Sequence, residues 1–279
     1  MHPLVSTQWL YEHQDDPQLV ILDVRGHILP ASEPLPHYFS HEAEYRESHI
    51  PGARFVDWVR DITIGGPAKM QVAPAEQYAA LMSRLGVSDG TLVVAYDDFG
   101  GIFAARVWWT LNYYGHTQAA VLDGGWLAWT AEGRPATDLV PTVEPTTFVA
   151  RPDPRIRRTK DQVFSALGSA TRLIDVRSPA EYRAEASRAR RKGRIPGAAS
   201  LPAKEELTVL GKLIAPDTIR AKFEAAGVQH GGEDIVIYCN SGVSSSLGLL
   251  AYRAAGFSGG AVYDGSWKEW GNDDSLPIE

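Results

Sequence analysis

The sequence has a single cysteine in 279 residues. No intramolecular disulfide can form, and no cysteine cluster is available to hold a metal. Such sparing use suits a reducing compartment. No apolar stretch approaches the roughly 20 residues that a membrane helix needs, so no membrane partner is expected. The opening MHPLVSTQWLYEHQDD has no basic segment followed by an apolar run. A secretory signal is therefore not expected, and a cytoplasmic protein is. Basic residues are outnumbered, 27 against 34 acidic, for a net charge of −7. That disfavours nucleic acid as the main partner. With 44% hydrophobic and 22% charged residues, the composition excludes a largely disordered chain, a collagen and a coiled coil.

What the sequence has in quantity is self-similarity. LVILDVRG (Leu19–Gly26) returns as RLIDVRSP (Arg172–Pro179), and EYRESHIPGARF (Glu44–Phe55) returns, with an insertion, within Glu181–Ser200. LVVAYDDFGG (Leu92–Gly101) returns as IVIYCNSGV (Ile235–Val243), and VLDGGWLAW (Val121–Trp129) as VYDGSWKEW (Val262–Trp270). The blocks keep their order at a spacing far above the 20–50 residues of a solenoid unit, so a whole domain is duplicated. The Pro- and Thr-rich stretch before Pro154 reads as an extended connector. The expected division is a first domain over 1–135, a linker over 136–154 and a second domain over 155–279.

Each half alternates short β-branched runs with helical patterns. Val20–Val24, Leu92–Tyr96, Leu173–Val176 and Ile235–Tyr238 predict buried strands. Gln77–Leu85, Ala104–Tyr113, Ile219–Ala226 and Ser244–Ala255 predict helices. The implied class is α/β, with a mainly parallel sheet flanked by helices in each half.

Charge divides unevenly. Residues 1–139 carry 17 acidic and 8 basic side chains, whereas residues 140–279 carry 17 and 19. The surplus gathers at Arg183, Arg188, Arg190, Arg191, Lys192 and Arg194, which reads either as a solvated loop or as an anion-attracting rim.

The cysteine, Cys239, ends a strand and is followed by a Gly-containing loop and a helix opening in serines. Backbone N–H groups and the helix dipole make such a unit an anion cradle, which favours a thiolate. The equivalent residue in the first half is Asp97. A packing cysteine would be expected to keep an apolar counterpart, so the asymmetry points to a nucleophile in one copy only.

In the order DVR, HIPGA-type turn, Tyr-Cys loop and DGGW-type turn, nearly the whole chain resembles a tandem-domain rhodanese, a sulfurtransferase of the thiosulfate or 3-mercaptopyruvate type. The resemblance implies two rhodanese-like domains, the second catalytic, with an active loop over Asn240–Ser245. It implies that Cys239 takes a sulfane sulfur from a small-molecule donor as a persulfide and passes it to cyanide, a thiol or a thioredoxin-like acceptor. No cofactor or metal is implied. Thiosulfate enzymes of the family carry basic residues after the cysteine. The neutral Asn240-Ser241-Gly242-Val243-Ser244 resembles the mercaptopyruvate loop instead, apart from Asn240 and Ser244. The arginine that mercaptopyruvate enzymes use for the substrate carboxylate aligns with Glu181, leaving Arg183, Arg190, Arg191 or Arg194 as substitutes.

His49 matches the histidine placed near the loop serine in the mercaptopyruvate enzymes. Ser241, His49 and Glu42 or Glu44 then form a proton relay, or else His49 braces the turn before Pro51-Gly52. Its counterpart Arg194 carries the same two alternatives. Loop residues Asn240, Gly242, Val243, Ser244 and Ser245, with Arg177 and Arg194, are the expected substrate contacts. Asp23–Arg25 and Asp175–Arg177 occur in both halves, which favours structural ion pairs. The repeated Trp126, Trp129, Trp267 and Trp270 are expected to pack beside the turns. A cysteine phosphatase or arsenate reductase needs an arginine six positions after the cysteine, where Ser245 stands. The remaining alternative is a duplicated domain that only binds partners.

Overall fold

A computed structural model of the protein describes residues 2–64, 70–229 and 234–279. Two five-stranded sheets share one strand order. In the first, the order is Leu4–Val5, Ala119–Leu122, Leu92–Tyr96, Leu19–Asp23 and Arg54–Phe55. In the second it is Arg157–Arg158, Ala261–Tyr263, Ile235–Tyr238, Arg172–Asp175 and Ala199–Ser200. Every pairing within them is parallel. The central strands are buried on both faces, which is why they read as unbroken apolar runs.

Registers match between the copies. Asp23 lies opposite Tyr96 and Asp175 opposite Tyr238. Each tyrosine hydroxyl donates to its aspartate, at 2.5 and 2.8 Å. Each aspartate also binds the arginine two residues on. Arg25 and Arg177 then donate to the carbonyls of Ser48 and Gly193, tying the strand end to the next turn. These fully buried networks occur with and without a thiol nearby, so they are structural.

The helices that follow the two central loops, Ile102–Tyr113 and Val243–Ala254, pack against each other across the domain boundary. Both are buried along most of their length because each faces its own sheet and the other domain. Small hairpins complete the exchange. Val72 of the first domain donates to Asp264 of the second at 3.0 Å, and Leu213 of the second donates to Asp123 of the first at 2.9 Å. The connector is extended but docked: Thr137 pairs with His49, Thr146 donates to Ser83, and Phe148 is buried in the core.

Candidate active site

Cys239 stands directly after the strand Ile235–Tyr238, where the chain leaves the sheet. Gly242 turns it into the helix with φ of +78°, a left-handed conformation that favours glycine. The thiol is 3% exposed. Its Sγ lies 3.5 Å from Ser245 Oγ and 4.0 Å from Ser266 Oγ. Ser266 is a support that sequence reasoning missed. Its hydroxyl accepts the N–H groups of Cys239 and Gly242, at 3.1 and 3.2 Å, and donates to Tyr263 O at 2.7 Å. The signal was available: DGGW in the first copy becomes DGSW in the second, so Ser266 replaces Gly125 only where the cysteine is. Both turns also hold their loops in one way, since Trp126 N–H donates to Asp97 O and Trp267 N–H to Cys239 O.

The first domain shows what the cradle holds. Asp97 occupies the position of Cys239, and its carboxylate accepts the backbone N–H groups of Phe99, Gly101, Phe103 and Ala104 at 2.8–3.0 Å. Burial raises this carboxyl above its ordinary value, and the N–H groups of Ala104, Phe99 and Gly101 draw it part of the way back. A carboxylate thus fills the anion site in one copy, and a sulfur takes its place in the other.

Cys239 opens onto a cleft of about 470 Å³ between the domains. Asn240, Ser241, Val243 and Ser244 line it, while Gly242 and Ser245 are buried outside the lining. The first domain supplies Ile28, Tyr38, Phe99 and Ile102 to the opposite wall. Tyr38 comes from the hairpin of Gly26–Ile28 and Tyr38–Ser40, pinned to the first-domain loop by the His41–Asp98 contact of 2.8 Å.

The cations of the cleft differ from those expected. Arg183 pairs with Glu185 and Arg190 with Asp274, and Arg191 caps carbonyls of the C-terminal segment. Arg194 pairs with Glu279 and stacks on Tyr182, and it is not among the residues that line the cleft. Arg190, Arg191 and Arg194 thus anchor the C-terminal segment, and Arg183 makes a local exposed pair. Arg177 lines the cleft; its Nε and Nη2 are committed to Asp175 and Gly193 and it stacks on Trp267, while its buried Nη1 has no protein hydrogen bond.

Arg188 faces the cleft instead. Its Nη2 donates to Leu29 O at 2.7 Å, and its buried Nη1 has no protein hydrogen bond. Beside it, Lys268 Nζ lies 4.2 Å from the centre of the Tyr38 ring. Burial, reinforced by Arg188, pushes this lysine down to about 8, while the charge of Cys239 draws it back up. Tyr38 is raised by burial and lowered by Arg188. Lys268 replaces the exposed Leu127 of the first copy, a second signal in the repeat that went unused. Lys204 lies over the Phe99 ring at 3.6 Å on the cleft wall.

Glu181 lines the cleft and holds two partners. It closes a capping box with Ser178 and accepts from Asn240 Nδ2 at 2.8 Å. His49 is fully buried and stacks on Tyr45 at 4.1 Å. Its ring nitrogens face the carbonyls of Tyr45 and Leu139, at 2.7 and 3.2 Å. It does not line the cleft, and no hydrogen bond joins it to Ser241 among the described residues. Glu42 pairs with Arg46 on the surface. These contacts match the turn-bracing alternative and leave the relay unformed.

Comparison with known proteins gives the same chemistry. The family described as "Rhodanese-like domain" matches twice, over residues 6–132 and 159–273. The sulfur carrier protein TtuD of Thermus thermophilus is 36% identical over 99% of this chain and 97% of its own length. The thiosulfate sulfurtransferase of Cricetulus griseus is 34% identical over 96% of this chain and 91% of its own. SseA from Escherichia coli, solved as a 3-mercaptopyruvate sulfotransferase, superposes with a TM-score of 0.83 at 30% identity, covering 96% of this chain and 99% of that one. With a lone thiol set in an anion cradle in one of two matching domains, the chain belongs to the rhodanese family and is a tandem-domain sulfurtransferase.

Proposed function

We propose that the preferred donor is 3-mercaptopyruvate, with Cys239 as the sulfur carrier and Arg188 as the seat of the donor carboxylate. The observation that carries this is that Arg188 lines the cleft with Cys239 and has no ion-pair partner there among the described residues. A planar guanidinium edge suits a carboxylate. Lys268 adds charge near the sulfur.

In the first half-reaction the Cys239 thiolate attacks the donor sulfur. An S–S bond forms, the donor C–S bond breaks, and its electron pair leaves as the pyruvate enolate, which takes up a proton. Loop N–H groups hold the persulfide, and Ser241 and Ser244 line the path to it. In the second half-reaction cyanide or a thiol attacks the outer sulfur and returns Cys239 as thiolate. The expected kinetics are ping-pong. The acceptor is cyanide, a thiol or a thioredoxin-like protein, and the setting we propose is the cytoplasm. The domain limits we adopt are 1–135 and 155–279, joined by 136–154.

Thiosulfate is the second reading, favoured by the Arg188–Lys268 pair of charges, which also suits a dianion. Parallel measurement of kcat/KM decides. A higher value for mercaptopyruvate supports the proposal, and a higher value for thiosulfate replaces it with the second reading.

A further inference from the structure

Arg106 belongs to the first-domain helix and is fully buried, yet its guanidinium serves the second domain. Nη1 donates to Gly242 O at 3.2 Å, and Nη2 lies 2.8 Å from Asp264 Oδ1. The group also stacks on Trp109 at 4.6 Å. A Cβ at Gly242 would lie 2.7 Å from both Arg106 Nη1 and Asp264 Oδ1, so the loop is closely fitted to this pair. Asp264 begins the turn that carries Ser266, and Ser266 accepts the N–H groups of Cys239 and Gly242. Arg106 thus bears on the loop twice: directly at Gly242 O, and through Asp264 at the turn beneath the cysteine. Because a peptide is planar, fixing Gly242 O also fixes the Val243 N–H on its other side, where the loop becomes helix.

The duplication isolates the feature. Arg106 is the fifth residue of Ile102–Tyr113, and Leu247 is the fifth of Val243–Ala254. Leu247 rests against Gly101 of the first-domain loop. The same packing position therefore takes a leucine, which needs no buried counter-ion, when it faces the loop without a thiol. A buried guanidinium carries a desolvation cost that leucine avoids. That cost is met only on the side facing Cys239.

We infer that Arg106 is a positioning residue for sulfur transfer: a first-domain cation that holds the Gly242 carbonyl and the Asp264 turn so that the cradle closes around Cys239. This rests on Cys239 as the sulfur carrier. It gives the first domain, which has no thiol, a part in the reaction.

The test compares the full-length wild type with Arg106→Met/Asp264→Asn and with Arg106→Lys. The double variant removes both buried charges of the pair together, and Arg157, which lies 3.3 Å from Asp264 Oδ2 and is partly exposed, keeps water and the new amide as neighbours. Four quantities are read: the thermal midpoint, alkylation of Cys239 by iodoacetamide at fixed pH, single-turnover sulfur loading, and the donor KM. In the double variant the midpoint should stay near wild type while alkylation and loading slow about tenfold or more. KM should move less than about threefold. Arg106→Lys keeps a charge for Asp264 but loses the two-armed geometry, so its rates should fall between the other two. Wild-type rates in a folded double variant, or a loss confined to KM, would overturn the inference. If the double variant does not fold, wild-type rates in Arg106→Lys would overturn it and slowed rates would uphold it. Sulfur transfer surviving in Cys239→Ser would instead remove the carrier assignment, whatever the Arg106 variants do.

Discussion

The amide nitrogen of Asn240 donates to Glu181 Oε1 at 2.8 Å, so the first residue of the active loop is tied to a carboxylate that also closes a capping box on Ser178. Glu181 thereby acquires a structural use at the place where mercaptopyruvate enzymes of the family carry an arginine. Its negative charge still faces the cleft, which Arg188 also lines.

Removing that charge should favour anionic donors. Glu181→Gln keeps one acceptor oxygen, which serves either Asn240 or Ser178, and kcat/KM for mercaptopyruvate should rise about fivefold at low ionic strength. An unchanged or lower value would show that the carboxylate is screened from the donor. Asn240→Arg with Ser241→Lys should move preference toward thiosulfate, since charge-assisted hydrogen bonds are about twice as strong as neutral ones. Side-by-side kcat/KM for both donors reads the change, and an unmoved ratio would mean that loop charge does not select the donor.

Cys239→Ser should abolish turnover and cyanolysable sulfur while leaving the thermal midpoint nearly unchanged. The two side chains are close in size, and among the described residues Sγ has hydroxyl partners, at 3.5 and 4.0 Å. Thiocyanate production together with a melting curve checks both halves of the statement.

Lys268 gives the site a pH limit. Burial lowers its folded value to about 8, so its charge is present below that pH and lost as pH rises through it. Tyr38 is shifted upward and stays neutral over the same interval. The donor KM should therefore rise above about pH 8 in the wild type. Lys268→Met should show the high KM at all pH values and no step. A step that persists in Lys268→Met would assign it to another group.

Arg188→Met should raise the KM for mercaptopyruvate about tenfold or more, in line with a lost charge-assisted bidentate contact. Arg194→Met should leave KM alone and lower the thermal midpoint instead, because Arg194 anchors Glu279. Equal KM effects from the two would remove Arg188 from its assigned role.

Asp97→Ala should destabilise the fold by about 3 kcal/mol, because four buried backbone N–H groups lose their shared acceptor. Urea unfolding monitored by tryptophan fluorescence measures this. A loss below about 1 kcal/mol would mean that water enters the cradle of the first domain and replaces the carboxylate.

The repeat, the strand and helix patterns and the lone thiol were legible without coordinates because each is a local property. Apolar periodicity marks buried strands, and self-comparison marks Cys239 against Asp97. The same comparison contained Ser266 against Gly125 and Lys268 against Leu127, within blocks that share the DG turn and both tryptophans. Which charges meet the sulfur was a tertiary matter. The arginines of residues 183–194 are interchangeable in sequence, yet the C-terminal segment takes Arg190, Arg191 and Arg194 while only Arg188 is left facing the cleft. His49 precedes the turn that the pattern requires, but the docked connector covers it and its ring nitrogens meet carbonyls. Arg106 lies in an ordinary helical pattern 133 residues before Cys239. Only the packing of two helices from different domains brings its guanidinium to Gly242, because a side chain's partners are set by distance in space and not by separation along the chain.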